Sequence, residues 1–154
     1  HRGIHLPSEK REAIDICVAV DTSGSVSDQE LGEFLSEMYG MLDGFSQVNM
    51  KVIQHDAKVQ RVDEIDDRSD LENLGFKGRG GTNHVPVFDW INENDNDSRV
   101  LVALTDGFTT APDQKDVPSN LNTIWLVNNY EAADDRMPFG KIIRQPSNFL
   151  EQDD

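Results

Sequence analysis

Residues 14–20 (Ile-Asp-Ile-Cys-Val-Ala-Val) and 100–104 (Val-Leu-Val-Ala-Leu) are nearly unbroken in apolarity and rich in β-branched side chains. A strand with one wet face alternates, so runs like these belong to strands covered on both faces, as in a parallel sheet with helices above and below it. Residues 123–127 (Thr-Ile-Trp-Leu-Val) form a third run of the same kind. At 154 residues the chain is one domain's worth and buries roughly 70% of its unfolded surface in a single core.

Between these runs the period changes. Leu31, Phe34, Leu35, Met38, Met41 and Leu42 recur at helical spacing, and Ser27 with Glu30 forms a Ser-x-x-Glu capping box, which predicts a helix of about four turns ending near Gly44. Residues 48–55 and 59–65 alternate around Asp56-Ala57-Lys58, the pattern of a hairpin whose second strand lies antiparallel at a sheet edge. The acidic stretch 63–70 reads as a turn followed by a short helix at 71–74, and Gly75, Gly78, Gly80 and Gly81 as a flexible loop. Val85, Val87, Phe88 and Ile91 suit a helix carrying Pro86 in its first turn, and residues 138–143 supply a last short strand. The fold class is α/β: a doubly wound, mostly parallel central sheet with one antiparallel edge strand and helices on both faces. Residues 12–146 form the domain, 1–11 an N-terminal extension and 147–154 a polar tail.

Charge removes several function classes. Twenty-nine acidic residues against fourteen basic ones give a net charge of −15, so the phosphate contacts that drive nucleic-acid binding become repulsive, as does an anionic membrane. The acidity serves either as a soluble, self-repelling surface or as a field that attracts cations or a basic partner. The lone Cys17 falls inside an apolar run and has no disulfide partner in the chain, which suits a small core residue in a reducing compartment. No apolar stretch approaches the ~20 residues of a membrane span. The expectation is a cytoplasmic protein, monomeric in isolation.

Five oxygen-bearing residues stand where the apolar strands give way to loops: Asp21, Ser23 and Ser25 in Asp-Thr-Ser-Gly-Ser, Thr82 in Gly-Gly-Thr, and Asp106 in Thr-Asp-Gly. Carboxylates and hydroxyls without nitrogen or sulfur suit a small hard cation, foremost Mg2+, with Mn2+ or Ca2+ as alternatives. Two such carboxylates repel by about 4 kcal/mol at about 4 Å in an effective dielectric near 20, and a divalent cation reverses the sign. Singly, each residue also has a plain structural role: Ser25 or Ser27 as a helix cap, Thr82 as the next cap, Asp106-Gly107 as a turn. Capping does not explain why they gather at consecutive strand ends of one sheet.

In this order and on these elements, Asp21-Thr-Ser-Gly-Ser25, Gly80-Gly-Thr82 and Thr105-Asp106-Gly107 resemble the von Willebrand factor A (VWA) fold and its metal-ion-dependent adhesion site, or MIDAS. With Pro86-Val-Phe88, Trp125 and Pro138-Phe-Gly140, the chain is most similar to the VWA-like C-terminal domain of bacterial and phage proteins that carry a metallopeptidase label. The resemblance implies that Ser23 and Ser25 contact the metal directly, and that Thr82, Asp21 and Asp106 do so directly or through water. It further implies that a partner protein's carboxylate fills an open position. Related intracellular VWA proteins often work with AAA+ ATPases of the MoxR type, which implies such a partner.

The peptidase label does not transfer, because the chain contains no His-Glu-x-x-His. Its histidines, His1, His5, His55 and His84, are scattered, and His84 reads as a polar rim residue beside the site. No enzymatic activity is expected of this chain; hydrolysis would belong to a region outside it. The rival from another class is a phosphoryl-transfer enzyme with Asp21 as nucleophile, but such enzymes want a second Asp two residues on, where Ser23 stands. Gly78-Arg-Gly-Gly81 lacks the Lys-Ser/Thr ending of a P-loop. A third reading is a structural VWA-like domain with an unused site.

Overall fold

The computed structural model describes residues 14–95, 97–128 and 134–144. The expected extension 1–11 and tail 147–154 lie outside the described residues. The strands are β1 (Ile14–Asp21), β2 (Val48–His55), β3 (Val59–Ile65), β4 (Val100–Thr105), β5 (Asn122–Val127) and β6 (Lys141–Arg144). The helices are α1 (Asp28–Asp43), α2 (Arg68–Glu72) and α3 (Val85–Asn94), with 3-10 turns at Gln114–Asp116 and Asp134–Arg136. The sheet runs in the order β3-β2-β1-β4-β5-β6 and is parallel except for the β2–β3 pair. This is the α/β architecture expected from the apolar runs.

Successive side chains of a strand point to opposite faces, so each central strand feeds two cores. Ile16, Val18 and Val20 of β1 join Val102 and Leu104 of β4 under Leu31, Phe34, Met38 and Met41 of α1. Cys17, Ala19, Leu101, Ala103 and Trp125 face the other way, against Val87, Phe88 and Ile91 of α3. Burial on both sides is why these runs do not alternate.

Local signals set most boundaries. Ser27 caps α1 through a complete capping box with Glu30, at 3.1 Å and 2.8 Å. The short second helix begins three residues earlier than the apolar pair suggested, because Asp67 and Asp70 form a capping box of their own ahead of it. The last strand also starts later, at Lys141. Gly140 adopts φ +77 there, and the Trp125 indole donates to the Phe139 carbonyl at 2.8 Å, so the segment just before the strand is tied to the core rather than to the ladder. Among the described residues no helix is long and apolar enough to cross a membrane.

Beyond α3 the buried Asp95 side chain gathers the Ser98 hydroxyl (2.6 Å), the Ser98 and Asp97 amides and the Lys51 ammonium (3.1 Å) from β2. Burial by itself would raise its pKa, but these donors together hold it below the usual carboxylate range. A carboxylate depressed on folding contributes stability above its unfolded pKa of about 3.9 and loses it as pH falls through the lower folded value. An Asp95→Asn variant is therefore expected to lie below wild type in urea midpoint at neutral pH, with the gap closing below about pH 4. Ser27→Ala is expected to cost about 1 kcal/mol by the same urea measurement, since it leaves the Glu30 amide without its acceptor.

Candidate metal centre

β1 is the switch point of the sheet: the chain leaves it for β2 on one side and returns to β4 on the other. Ligand crevices of doubly wound sheets open beyond the carboxyl ends of the two strands at such a point. Asp21 ends β1, and Asp106 follows the last residue of β4.

Three of the five expected residues form one hydrogen-bonded chain. Ser23 Oγ lies 3.1 Å from Ser25 Oγ, and Ser25 Oγ donates to Asp106 Oδ2 at 2.6 Å. The other Asp106 oxygen accepts from the Phe108 amide at 3.0 Å, which fixes the carboxylate toward the loop after β1. Asp21 stands behind them, fully buried, accepting the Ser23 amide on Oδ1 (2.9 Å) and the Thr105 hydroxyl on Oδ2 (2.6 Å). Burial raises its pKa, while the neighbouring His55 and the bonds from Ser23 and Thr105 pull it back part of the way. Enclosure of this carboxylate weighs against the phosphoryl-transfer alternative, which needs an open line of attack on it.

Thr82 is not part of this chain. Among the described residues its hydroxyl makes no hydrogen bond, but its loop is fastened on both sides: the Gly24 amide donates to the Gly80 carbonyl (2.9 Å), and the His84 amide to the Thr110 carbonyl (2.8 Å). The glycine-rich segment is thus pinned rather than loose. Asp56 accepts the Gly80 amide on Oδ2 (3.0 Å) and the Asn83 amide on its carbonyl (2.9 Å), and Thr22 accepts the Arg79 amide (2.7 Å). Gly78, at φ +132, passes so close that a Cβ there would lie 2.4 Å from Thr22 Oγ1.

His84 corrects the expectation of a polar rim residue. It is fully buried, shares a 2.7 Å hydrogen bond through Nδ1 with Thr109 Oγ1, and packs edge-on against His55 and Trp125 with ring centroids 4.2 and 4.9 Å away. Burial, with the second imidazole beside it, holds its pKa well below the ordinary value, and burial lowers that of His55 too. Among the described residues no three His, Cys, Asp or Glu side chains assemble into a metal cage. The oxygen cluster relies on hydroxyls instead.

Residues 16–145 match the sequence profile described as "VWA-like domain (DUF2201)". The chain belongs to the VWA-like family. An uncharacterised protein of Thermotoga maritima is 32% identical over 110 residues, which cover 70% of this VWA-like chain and 27% of the relative. Among solved structures, the proximal thread matrix protein 1 of the mussel byssus superimposes with a TM-score of 0.76 at 15% identity, over 93% of this chain and 46% of the mussel protein. A second structure of that protein, described as having a zinc-occupied MIDAS motif, gives 0.75 at 14% identity with the same coverage. BatB from Bacteroides thetaiotaomicron gives 0.65 at 12% identity, over 91% and 94% of the two chains. At these identities the structures establish a shared fold. The VWA-like chain spans about a quarter of the curated relative and under half of the mussel protein.

Sequence reasoning passed over two residues of this site. Thr105 reads as the last residue of an apolar strand, yet its hydroxyl joins β4 to the Asp21 carboxylate. Asp56 reads as an ordinary hairpin residue, yet it clamps the glycine loop. Thr105→Val is expected to leave Asp21 Oδ2 without its donor and to cost about 1–3 kcal/mol by urea denaturation, with Thr105→Ser recovering most of it.

Proposed function

We propose that the chain is a magnesium-dependent protein-interaction module whose metal is completed by a carboxylate from the partner. The observation behind it is the run of oxygens from Ser23 through Ser25 to Asp106, with neighbouring atoms 3.1 and 2.6 Å apart. Adjacent ligands of an octahedron with bonds near 2.1 Å stand about 3.0 Å apart: the Ser23–Ser25 pair matches that spacing, and the Ser25–Asp106 pair, closed here by a hydrogen bond, would widen slightly to admit the ion. Ser23, Ser25 and Asp106 are the first ligands in this reading. Asp21, whose oxygens are already engaged by Ser23 and Thr105, orients the loop and would act on the cation through water, and Thr82 would do so from the glycine loop. A bound divalent ion supplies a fixed positive charge that attracts an incoming acid.

The zinc reported in the mussel protein supports a divalent cation at this position in the fold. Zinc prefers nitrogen and sulfur, whereas this cluster offers oxygen alone, which favours magnesium. The free, buried Cys17 suits a reducing, cytoplasmic setting. A MoxR-type AAA+ ATPase is the partner class we carry forward from the family resemblance, and any hydrolytic activity of a longer protein belongs outside this chain.

Cation binding only to the native state stabilises it by about 2.7 kcal/mol at a concentration a hundred times the dissociation constant. Urea denaturation in millimolar magnesium is expected to show a rise of this order, and calorimetry to show one site. A double Ser23→Ala, Ser25→Ala variant is expected to fold and to lose both signals. An unchanged midpoint in wild type would leave the VWA-like domain with an unused site.

A further inference from the structure

Beside the oxygen cluster lies a rim whose side chains the metal does not need. Among the described residues Phe108 is the large hydrophobic left exposed, at 37%, and its backbone amide is bound to Asp106 Oδ1, which places residue 108 directly beside the cluster. The Arg136 guanidinium lies over that ring, 5.6 Å from its centroid, and has no carboxylate partner among the described residues.

Arg79 is the second cation of the rim. It is the non-glycine residue in the left-handed region, at φ 83, in a loop where Gly78, Gly80 and Gly81 surround it. A left-handed arginine carries a backbone strain that glycine would not. Its amide is bound to the Thr22 carbonyl (2.7 Å), and its own carbonyl would lie 2.9 Å from a Cβ at Gly24. The backbone is thereby pressed onto the metal loop while the side chain stays exposed and unpaired with any carboxylate among the described residues. A role for the guanidinium is the direct physical account of arginine at this position.

Resting on the metal-dependent reading above, we infer that Arg79, Arg136 and Phe108 form the specificity rim of the site, and that the partner presents an acidic segment of at least two carboxylates beside an apolar side chain. One acid completes the cation's shell, the next pairs with a rim guanidinium, and the apolar group stacks on Phe108. The net charge of −15 repels such a segment at long range. Charges on the surface are screened beyond a Debye length of about 8 Å at physiological salt, so the local cations decide the contact. Rim charges of this kind act mainly on partner choice and association rate.

The test pans a random phage-displayed peptide library on the intact, magnesium-loaded chain with elution by chelator, then measures a recovered synthetic peptide against variants. Recovered peptides are expected to carry two or more acids near an apolar residue. Arg79→Glu and Arg136→Glu are each expected to weaken the peptide roughly tenfold or more with magnesium affinity by calorimetry unchanged. Arg79→Gly is expected to raise the urea midpoint while weakening the peptide, a combination a purely structural role would not give. Recovery of peptides with no acidic bias, or charge-reversed variants that bind as wild type while magnesium is still required, overturns the rim and leaves the metal reading intact. Absence of magnesium binding in wild type removes the metal reading itself. Magnesium-dependent self-association in sedimentation, abolished by Arg136→Glu, would assign the rim to a second copy of the chain and overturn the acidic-segment partner.

Discussion

A buried carboxylate is costly unless its oxygens find donors, and Asp21 finds them in two places that matter. The Thr105 hydroxyl ties the end of β1 to the end of β4 across the point where the sheet reverses its winding. The Ser23 amide turns the chain back over the same carboxylate, and this turn is what presents the Ser23 and Ser25 hydroxyls to Asp106. The join between the ends of β1 and β4 and the shape of the oxygen cluster therefore depend on one side chain.

The rest of the site is held by loops rather than by the sheet. Asp56 and Thr22, both at the end of the sheet that carries the cluster, bind the glycine segment through its amides, at Gly80, Asn83 and Arg79. Burial would raise the Asp56 pKa, but its bonds to Gln60, Gly80 and Lys58 lower it overall, so it is a charged acceptor inside this clamp. Glycine is required at position 78 because the backbone there is left-handed and presses against Thr22. Placed this way, the loop covers one side of the cluster and leaves Ser25 exposed. An exposed hydroxyl beside a buried carboxylate suits a cation that an external acid completes.

Legibility followed the range of the interaction. The capping box at Ser27, the β2–β3 hairpin and the unbroken apolar runs are written within a few residues, and each was readable before any contact was known. The positions of Asp21 and Asp106 at the ends of two of those runs were also readable. The second helix and the last strand shifted by a few residues, since the Asp67 cap and the Trp125–Phe139 bond compete with the apolar pattern. His84 was misplaced for a different reason: a histidine beside polar loop residues looks like a rim group, and only the packing of α3 over β2 and β5 encloses it between His55 and Trp125.

By itself the sequence determined the α/β class, the antiparallel edge and the oxygen character of the candidate site, because periodicity, caps and donor type are properties of short segments. Tertiary structure alone decided that Ser25 and Asp106, 81 positions apart, share a hydrogen bond, that Thr105 serves Asp21, and that Thr82 stands apart from the chain of hydrogen bonds. It also brought Arg136 to the ring of Phe108 and tied the Arg79 amide to the Thr22 carbonyl, beside the loop that carries Ser23 and Ser25. Contacts between distant strand ends depend on the register and order of the whole sheet, and no local pattern encodes that order.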